Sequence, residues 1–137
     1  MSKKVLITGG AGFIAHHLIE YLLENTDFHI TTLDRLDFSG NLNRLSEIKG
    51  LLNGENEGRL KIVYHDLKAE INSEVGKMLN SPDYVIHLAA GSHVDRSIQF
   101  PLEFVMDNVV GTTNILNYAR TLDNIERFIY FSTDEVF

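Results

Sequence analysis

The chain contains no cysteine, so neither a disulfide nor a thiolate metal site is open to it. Its apolar runs are short, and none approaches membrane-spanning length. Basic residues are in deficit: 12 Lys and Arg stand against 19 Asp and Glu, for a formal charge of −7. That balance argues against sequence-independent binding of nucleic acid, which needs a basic face. It does not argue against a phosphate-bearing small ligand, because backbone amides at a helix N-terminus hold one without help from net charge. No secretory leader is visible, since Lys3-Lys4 precedes just a short apolar run before a glycine turn. A cytoplasmic protein with no membrane partner is the expectation. The 137 residues suffice for one domain with a proper core, not for two.

What is present is a regular alternation of short apolar runs and helical patterns. Strands are expected near Lys4–Ile7, His29–Leu33, Leu60–Tyr64, Tyr84–Leu88 and Arg127–Phe131. Between them the spacing predicts helices over about 13–24, from about Asn41, over 70–79, and from Pro101 to about Leu122. The last of these carries Val105, Val109, Thr112, Leu116 and Ala119 on one stripe. Runs without alternation suit strands buried on both faces of a parallel sheet. Right-handed crossovers then give a doubly wound α/β fold of Rossmann type, strand order 3-2-1-4-5, with helices on both faces.

The first strand runs into Thr8-Gly9-Gly10-Ala11-Gly12-Phe13-Ile14-Ala15, and a helical pattern follows. Strand, glycine turn and helix make a place for a dinucleotide pyrophosphate, with the helix dipole aimed at the negative charge. The fingerprint reads either through Gly10, Gly12 and Ala15 or through Gly9, Gly12 and Ala15. Asp34 ends the second strand about 20 residues on, where a carboxylate accepts ribose hydroxyls and repels a 2′-phosphate, favouring NAD over NADP. Arg35 beside it is a residue type that accommodates such a phosphate. Asp66, after the third strand, reads as an adenine contact or as a turn aspartate. Leu88-Ala89-Ala90 offers small residues at a strand exit. Asn108 reads as a bond to a neighbouring loop or as an ordinary exposed asparagine.

Ser132-Thr133-Asp134-Glu135 follows the fifth strand, outside the carboxyl ends where open α/β sheets bind ligands. Adjacent carboxylates there can divide into acid and base; from local sequence alone a helix cap is the better reading. The six histidines form no metal site, and His16-His17, adjacent on a helix, are expected to diverge. Tyr64 and Lys68 have the spacing of a Y-x-x-x-K pair but lie at a strand end, off any helix.

Together these segments resemble the extended short-chain dehydrogenase/reductase family and, within it, the dTDP-glucose 4,6-dehydratases. The resemblance also rests on Ser92-His93-Val94-Asp95-Arg96-Ser97-Ile98 and Asn108-Val109-Val110-Gly111-Thr112. It implies an NAD-dependent lyase: oxidation of a nucleotide sugar at C4, loss of water across C5 and C6, and hydride return to C6. By resemblance Glu135 is the base and Asp134 the acid, and Ser92 and Thr133 contact the sugar. The cofactor would be held by Gly9, Gly12, Phe13, Ile14, Asp34, Arg35, Leu36, Asp37, Asp66, Leu67, Leu88, Ala89, Ala90, Ser92 and Asp107. No metal is implied.

Several positions depart from the family pattern. Ala15 is the third glycine, His16 replaces a small residue, Gly91 stands where Glu is common, and Asp107 where a threonine near the nicotinamide end is common. The resemblance also places the family's catalytic tyrosine and lysine, its sixth strand and its sugar-nucleotide domain beyond Phe137. Residues 1–137 are thus expected to be the N-terminal NAD-binding portion of a longer enzyme, truncated after the fifth strand and inactive alone. The full-length enzyme is expected to be a homodimer, and this portion to self-associate through its exposed edge. The alternatives are an epimerase or decarboxylase of the same family, against which Asp134-Glu135 speaks, and a non-catalytic NAD-binding module.

Overall fold

A computed structural model describes residues 1–37 and 39–136. Five parallel strands form one sheet in the order β3-β2-β1-β4-β5. They are β1 (Lys4–Thr8), β2 (His29–Asp34), β3 (Leu60–Tyr64), β4 (Tyr84–His87) and β5 (Arg127–Tyr130). Helices α1 (Phe13–Asn25), α2 (Leu42–Leu51) and α3 (Ser73–Met78) fill the first crossovers. Between β4 and β5 lie α4 (Val94–Gln99), α5 (Pro101–Val105), a π-helical turn (Met106–Val110) and α6 (Gly111–Ala119).

The alternation of side chains along each strand splits the core in two. On one face Val5, Ile7 and Ile30 meet Ala15, Ile19 and Leu23 of α1 and Leu45 and Ile48 of α2. On the other, Leu6, Leu33, Val63 and Val85 meet Leu79 and the α6 residues Ile115 and Tyr118. Both faces of the central strands are therefore covered, as the unbroken apolar runs predict. Arg59, just before β3, is buried because its guanidinium donates to the carbonyls of Leu23, Thr26 and Phe28 and to Asn56.

Three expectations need correction. α3 starts at Ser73 rather than near Glu70, because the Asn72 side chain accepts from the amides of Glu74 and Val75 and sets the cap there. A short helix, α4, occupies the stretch read as a loop before Pro101. The long helix keeps its start at Pro101 but is interrupted by the π turn, which resets its inward face. Gly111, Ile115, Tyr118 and Ala119 are buried, whereas Val105, Val109 and Leu116 of the expected stripe are exposed. β5 is the exposed edge that was expected, pairing with β4 among the described residues and leaving Ile129 and Tyr130 uncovered.

Candidate dinucleotide site

The carboxyl ends of β1, β2 and β4 converge on the glycine turn. Gly9 has φ +74°, a left-handed conformation that favours glycine, and a Cβ there would lie 2.9 Å from the Cα of Ala89. At Gly10 a Cβ would lie 1.8 Å from Thr32 Oγ1, a hydroxyl that donates to the Ile7 carbonyl. These two glycines are thus required by the fit of the turn between β2 and β4. Gly12 closes the turn by donating to Gly9 O at 2.9 Å and stands at the start of α1. That helix opens with no side-chain cap and no acidic residue in its first turn, and Phe13 and Ile14 are exposed beside it. An open first turn of this kind presents N–H groups and the positive dipole end to an anion.

Asp34 is buried and reaches across to the turn. One carboxylate oxygen accepts from Ala11 N–H (3.0 Å) and the other from Leu36 N–H (2.7 Å). It therefore fixes the turn, and still has lone pairs to offer, since a carboxylate carries about four acceptor positions.

A second network ties β1 to the exit of β4. Thr8 Oγ1 accepts from the amides of Leu88 (3.1 Å) and Ala89 (3.0 Å) and lies 2.6 Å from His87 Nδ1. With two donors already on that oxygen, the Thr8 hydroxyl proton points to Nδ1. His87 then carries its proton on Nε2 and donates it to Thr112 Oγ1 at 2.9 Å. Burial holds the imidazole neutral, with its pKa pushed down to about 4. Sequence reasoning gave this histidine no role beyond excluding it from a metal site; the serviceable signal was its place at a strand end, with a threonine-bearing helix to follow.

Beyond the turn lies a hollow of about 360 Å³ lined by Arg35, Asp37, Ser39, Asp66, Lys68, residues 90–93, Arg96, Glu103, Phe104 and Asp107. Of the expected site residues it gathers Arg35, Asp37, Asp66, Ala90, Ser92 and Asp107. Asp66 makes the turn of the second reading given to it, accepting from Lys68 N–H on one oxygen while the other faces Arg35 at 3.7 Å. Asn108 makes the loop bond, accepting from Gly91 N–H (2.7 Å) and donating to Gly91 O (3.0 Å). Asp107 sits against Arg35 in this hollow.

Other expected residues do not line this hollow. The Leu67 side chain is in the core, and its carbonyl accepts from Asn114. Leu36 and Leu88 pack against one core cluster and Ala89 against the other. Thr133, Asp134 and Glu135 are exposed and do not line the hollow that holds Ser92. Thr133 Oγ1 accepts from Glu135 N–H (3.3 Å) at the head of a short 3₁₀ turn, as the cap reading has it. Tyr64 ends β3 and Lys68 lies in the loop beyond, so they share no helix face. The His16 and His17 rings do not diverge: their centroids are 3.9 Å apart, with Phe13 packed against both. Ring rotation overcomes the angular separation of their Cα–Cβ bonds.

A family profile described as GDP-mannose 4,6 dehydratase matches residues 6–137. The chain belongs to that family. Among curated relatives of this dehydratase family, the dTDP-glucose 4,6-dehydratase of Escherichia coli is 37% identical over 142 residues, covering 98% of this chain and 38% of that protein. The Haemophilus influenzae dTDP-glucose 4,6-dehydratase is 40% identical over 144 residues, covering 97% and 40%. The chain thus spans about 38% of the length of the E. coli relative it matches. Among solved structures, UDP-glucose 4-epimerase from Bifidobacterium longum in complex with NAD⁺ and UDP superposes with a TM-score of 0.82 at 28% identity, covering 97% of this chain and 38% of that one. dTDP-glucose 4,6-dehydratase from Bacillus anthracis in complex with NAD gives 0.74 at 26%, covering 98% and 39%. Among the described residues of this family member, no helix is long and apolar enough to cross a membrane.

Proposed function

We propose that residues 1–137 are an NAD-binding Rossmann domain of a nucleotide-sugar 4,6-dehydratase acting on a dTDP-glucose-type substrate. The observation that carries this reading is the convergence of the uncapped α1 N-terminus, the turn fixed by Asp34, and the β4 exit held by Thr8 at one end of the sheet. The residues present fit the cofactor: open amides for a pyrophosphate, a buried carboxylate for ribose hydroxyls, and Asp66 in the hollow for an amino group. NAD, when bound, supplies hydride acceptance from the sugar and its return. In this reading Glu135 receives the proton from C5 of the sugar, and Asp134 delivers a proton to the departing C6 oxygen. Thr133 and Ser92 hold the sugar, with Thr133 also anchoring the short turn that carries both acids.

In these 137 residues the Y-x-x-x-K spacing occurs at Tyr64–Lys68, off any helix. We therefore expect cofactor binding without turnover from this chain. The test is calorimetry with NAD⁺ and NADP⁺ on the folded chain, together with an assay for 4-keto-6-deoxy sugar from dTDP-glucose. NAD⁺ binding with no product is the expected outcome. A folded chain indifferent to NAD⁺ would remove the cofactor reading, and product formation the expectation of inactivity. The epimerases among the superposing structures keep a second reading in view, a UDP-sugar 4-epimerase domain. Asp134-Glu135 favours the dehydratase.

A further inference from the structure

Arg35 directly follows the last residue of β2, so it stands beside the carboxylate assigned to the ribose. Its guanidinium is gripped from two sides. Nε and one terminal nitrogen donate to Asp37 Oδ2 at 2.9 and 2.7 Å. From the other side Asp107 takes a fork-on-fork pair, Oδ1 at 2.5 Å and Oδ2 at 2.9 Å. A guanidinium has five N–H donors, and these four bonds commit most of them. The grip raises the pKa of Arg35 further above its ordinary value, with the Asp107 hydrogen bond as the largest cause.

The π turn explains how a residue 72 positions away arrives there. Asp107 and Asn108, consecutive within it, both turn toward the sheet, Asn108 to the Gly91 backbone and Asp107 to Arg35. A wider helical turn at a functional site is a recurrent use of this geometry. Gly91 lies beside this pair. A Cβ there would lie 3.0 Å from the Phe104 ring and 3.4 Å from Asp107 Oδ2. The tight neighbour is the Phe104 ring, while the distance to Asp107 is an ordinary contact.

We propose that Asp107 is a specificity-determining residue for the cofactor: by occupying Arg35 it withholds a guanidinium from a ribose 2′-phosphate, so that Asp34 and Asp107 together select NAD over NADP. The inference rests on the cofactor reading above and extends it to a residue on a different element. Charge supports it. Asp34, Asp37, Asp66 and Asp107 outnumber Arg35 and Lys68 around this corner, so a phosphate would enter a patch that is already negative. Removing Asp107 releases the planar fork that binds phosphate bidentately.

The experiment is calorimetry of the chain with NAD⁺ and, separately, NADP⁺, on the unmodified protein, Asp107→Thr, the near-isosteric Asp107→Asn, and Asp107→Thr combined with Arg35→Leu. Thermal unfolding confirms that each is folded. The unmodified chain should bind NAD⁺ at least about tenfold more tightly than NADP⁺. Asp107→Thr should shift that ratio toward NADP⁺ by about tenfold or more, the scale of one charge-assisted hydrogen bond. Asp107→Asn should shift it in the same direction by less, and Arg35→Leu should abolish the gain. An unchanged ratio in folded Asp107 variants overturns the proposal while leaving NAD binding intact. A gain that survives Arg35→Leu overturns it too, because the effect would not run through Arg35. Absence of NAD⁺ binding to the unmodified chain overturns the cofactor reading itself.

Discussion

Replacing His87 with glutamine should flatten the dependence of stability on pH between 6.5 and 4. The imidazole is fully buried and bonded at both nitrogens, and among the described residues burial alone shifts its pKa, with no carboxylate contributing. Its folded pKa of about 4 lies well below the ordinary 6.5. The unfolded chain therefore binds more protons than the folded chain between those limits. Stability from this group is complete above pH 6.5, is lost progressively as the pH falls to 4, and levels off below it. Each pKa unit corresponds to about 1.4 kcal/mol, so the full loss is on the order of 3 kcal/mol. That is a large part of the roughly 5–15 kcal/mol that holds a domain of ordinary stability together.

Protonation also has a structural meaning here. A proton on Nδ1 would face the Thr8 hydroxyl proton, forcing that hydroxyl to turn away while it already accepts from Leu88 and Ala89. The β4 exit should loosen with it. The assay is urea unfolding followed by far-ultraviolet circular dichroism from pH 8 to pH 4, for the unmodified chain and His87→Gln. The carboxyl group of Asp37 does not confuse the window. Its burial works to raise its pKa, but hydrogen bonds from Ser39 and Arg35 outweigh this and hold it below the ordinary carboxylate value. Its stabilisation is therefore lost as the pH falls below the carboxylate range. The variant starts less stable at pH 7, since Thr8 and Thr112 lose a partner. The two curves should then converge on acidification, by about 3 kcal/mol between pH 6.5 and 4. Parallel curves across that window would refute a neutral, proton-resisting His87.

Gly10→Ala should destabilise the chain by about 1–3 kcal/mol, the usual cost of overpacking, because its Cβ would meet the Thr32 side chain at 1.8 and 2.7 Å. Unchanged denaturant midpoints would show that Thr32 is not fixed where the turn needs it. Leu102, Val105, Val109 and Leu116 on the long helical run and Ile129 and Tyr130 on β5 are exposed, and such apolar surfaces associate. Sedimentation should show oligomers that grow with concentration. A clean monomer at the highest soluble concentration would count against this.

The strand order and the glycine turn were legible because their determinants are local. Apolar runs such as Val5-Leu6-Ile7 suit a doubly covered strand, and a helix must follow the turn for its glycines to be useful. Asn41 and Asn72 show how far local signals extend. Each caps a helix with its own side chain, and attention to the second would have placed the start of α3 correctly. β5 shows that an apolar run alone does not fix burial: Phe128-Ile129-Tyr130-Phe131 is continuously apolar, and the strand is nevertheless the exposed edge that was expected. Asp134 and Glu135 show another: local sequence reads a cap and family likeness reads chemistry. The Thr133 bond to Glu135 satisfies the first without excluding the second.

The site itself was legible one residue at a time and illegible in its pairings. Arg35 reads as a residue type that accommodates a 2′-phosphate, and Asp107 as a departure from the family pattern at an expected cofactor contact. Neither reading contains their pairing, which joins the two side chains at 2.5 and 2.9 Å. Nothing in the one-dimensional pattern marks the π turn that joins them, for its residues have ordinary helical composition and its effect is a change of phase. The same change of phase carries Asn108 to Gly91 and moves Val105 and Val109 off the core face. One extra residue in a helical turn thus sets three things: the shape of the hollow, the pairing of its arginine, and the face the helix leaves to solvent.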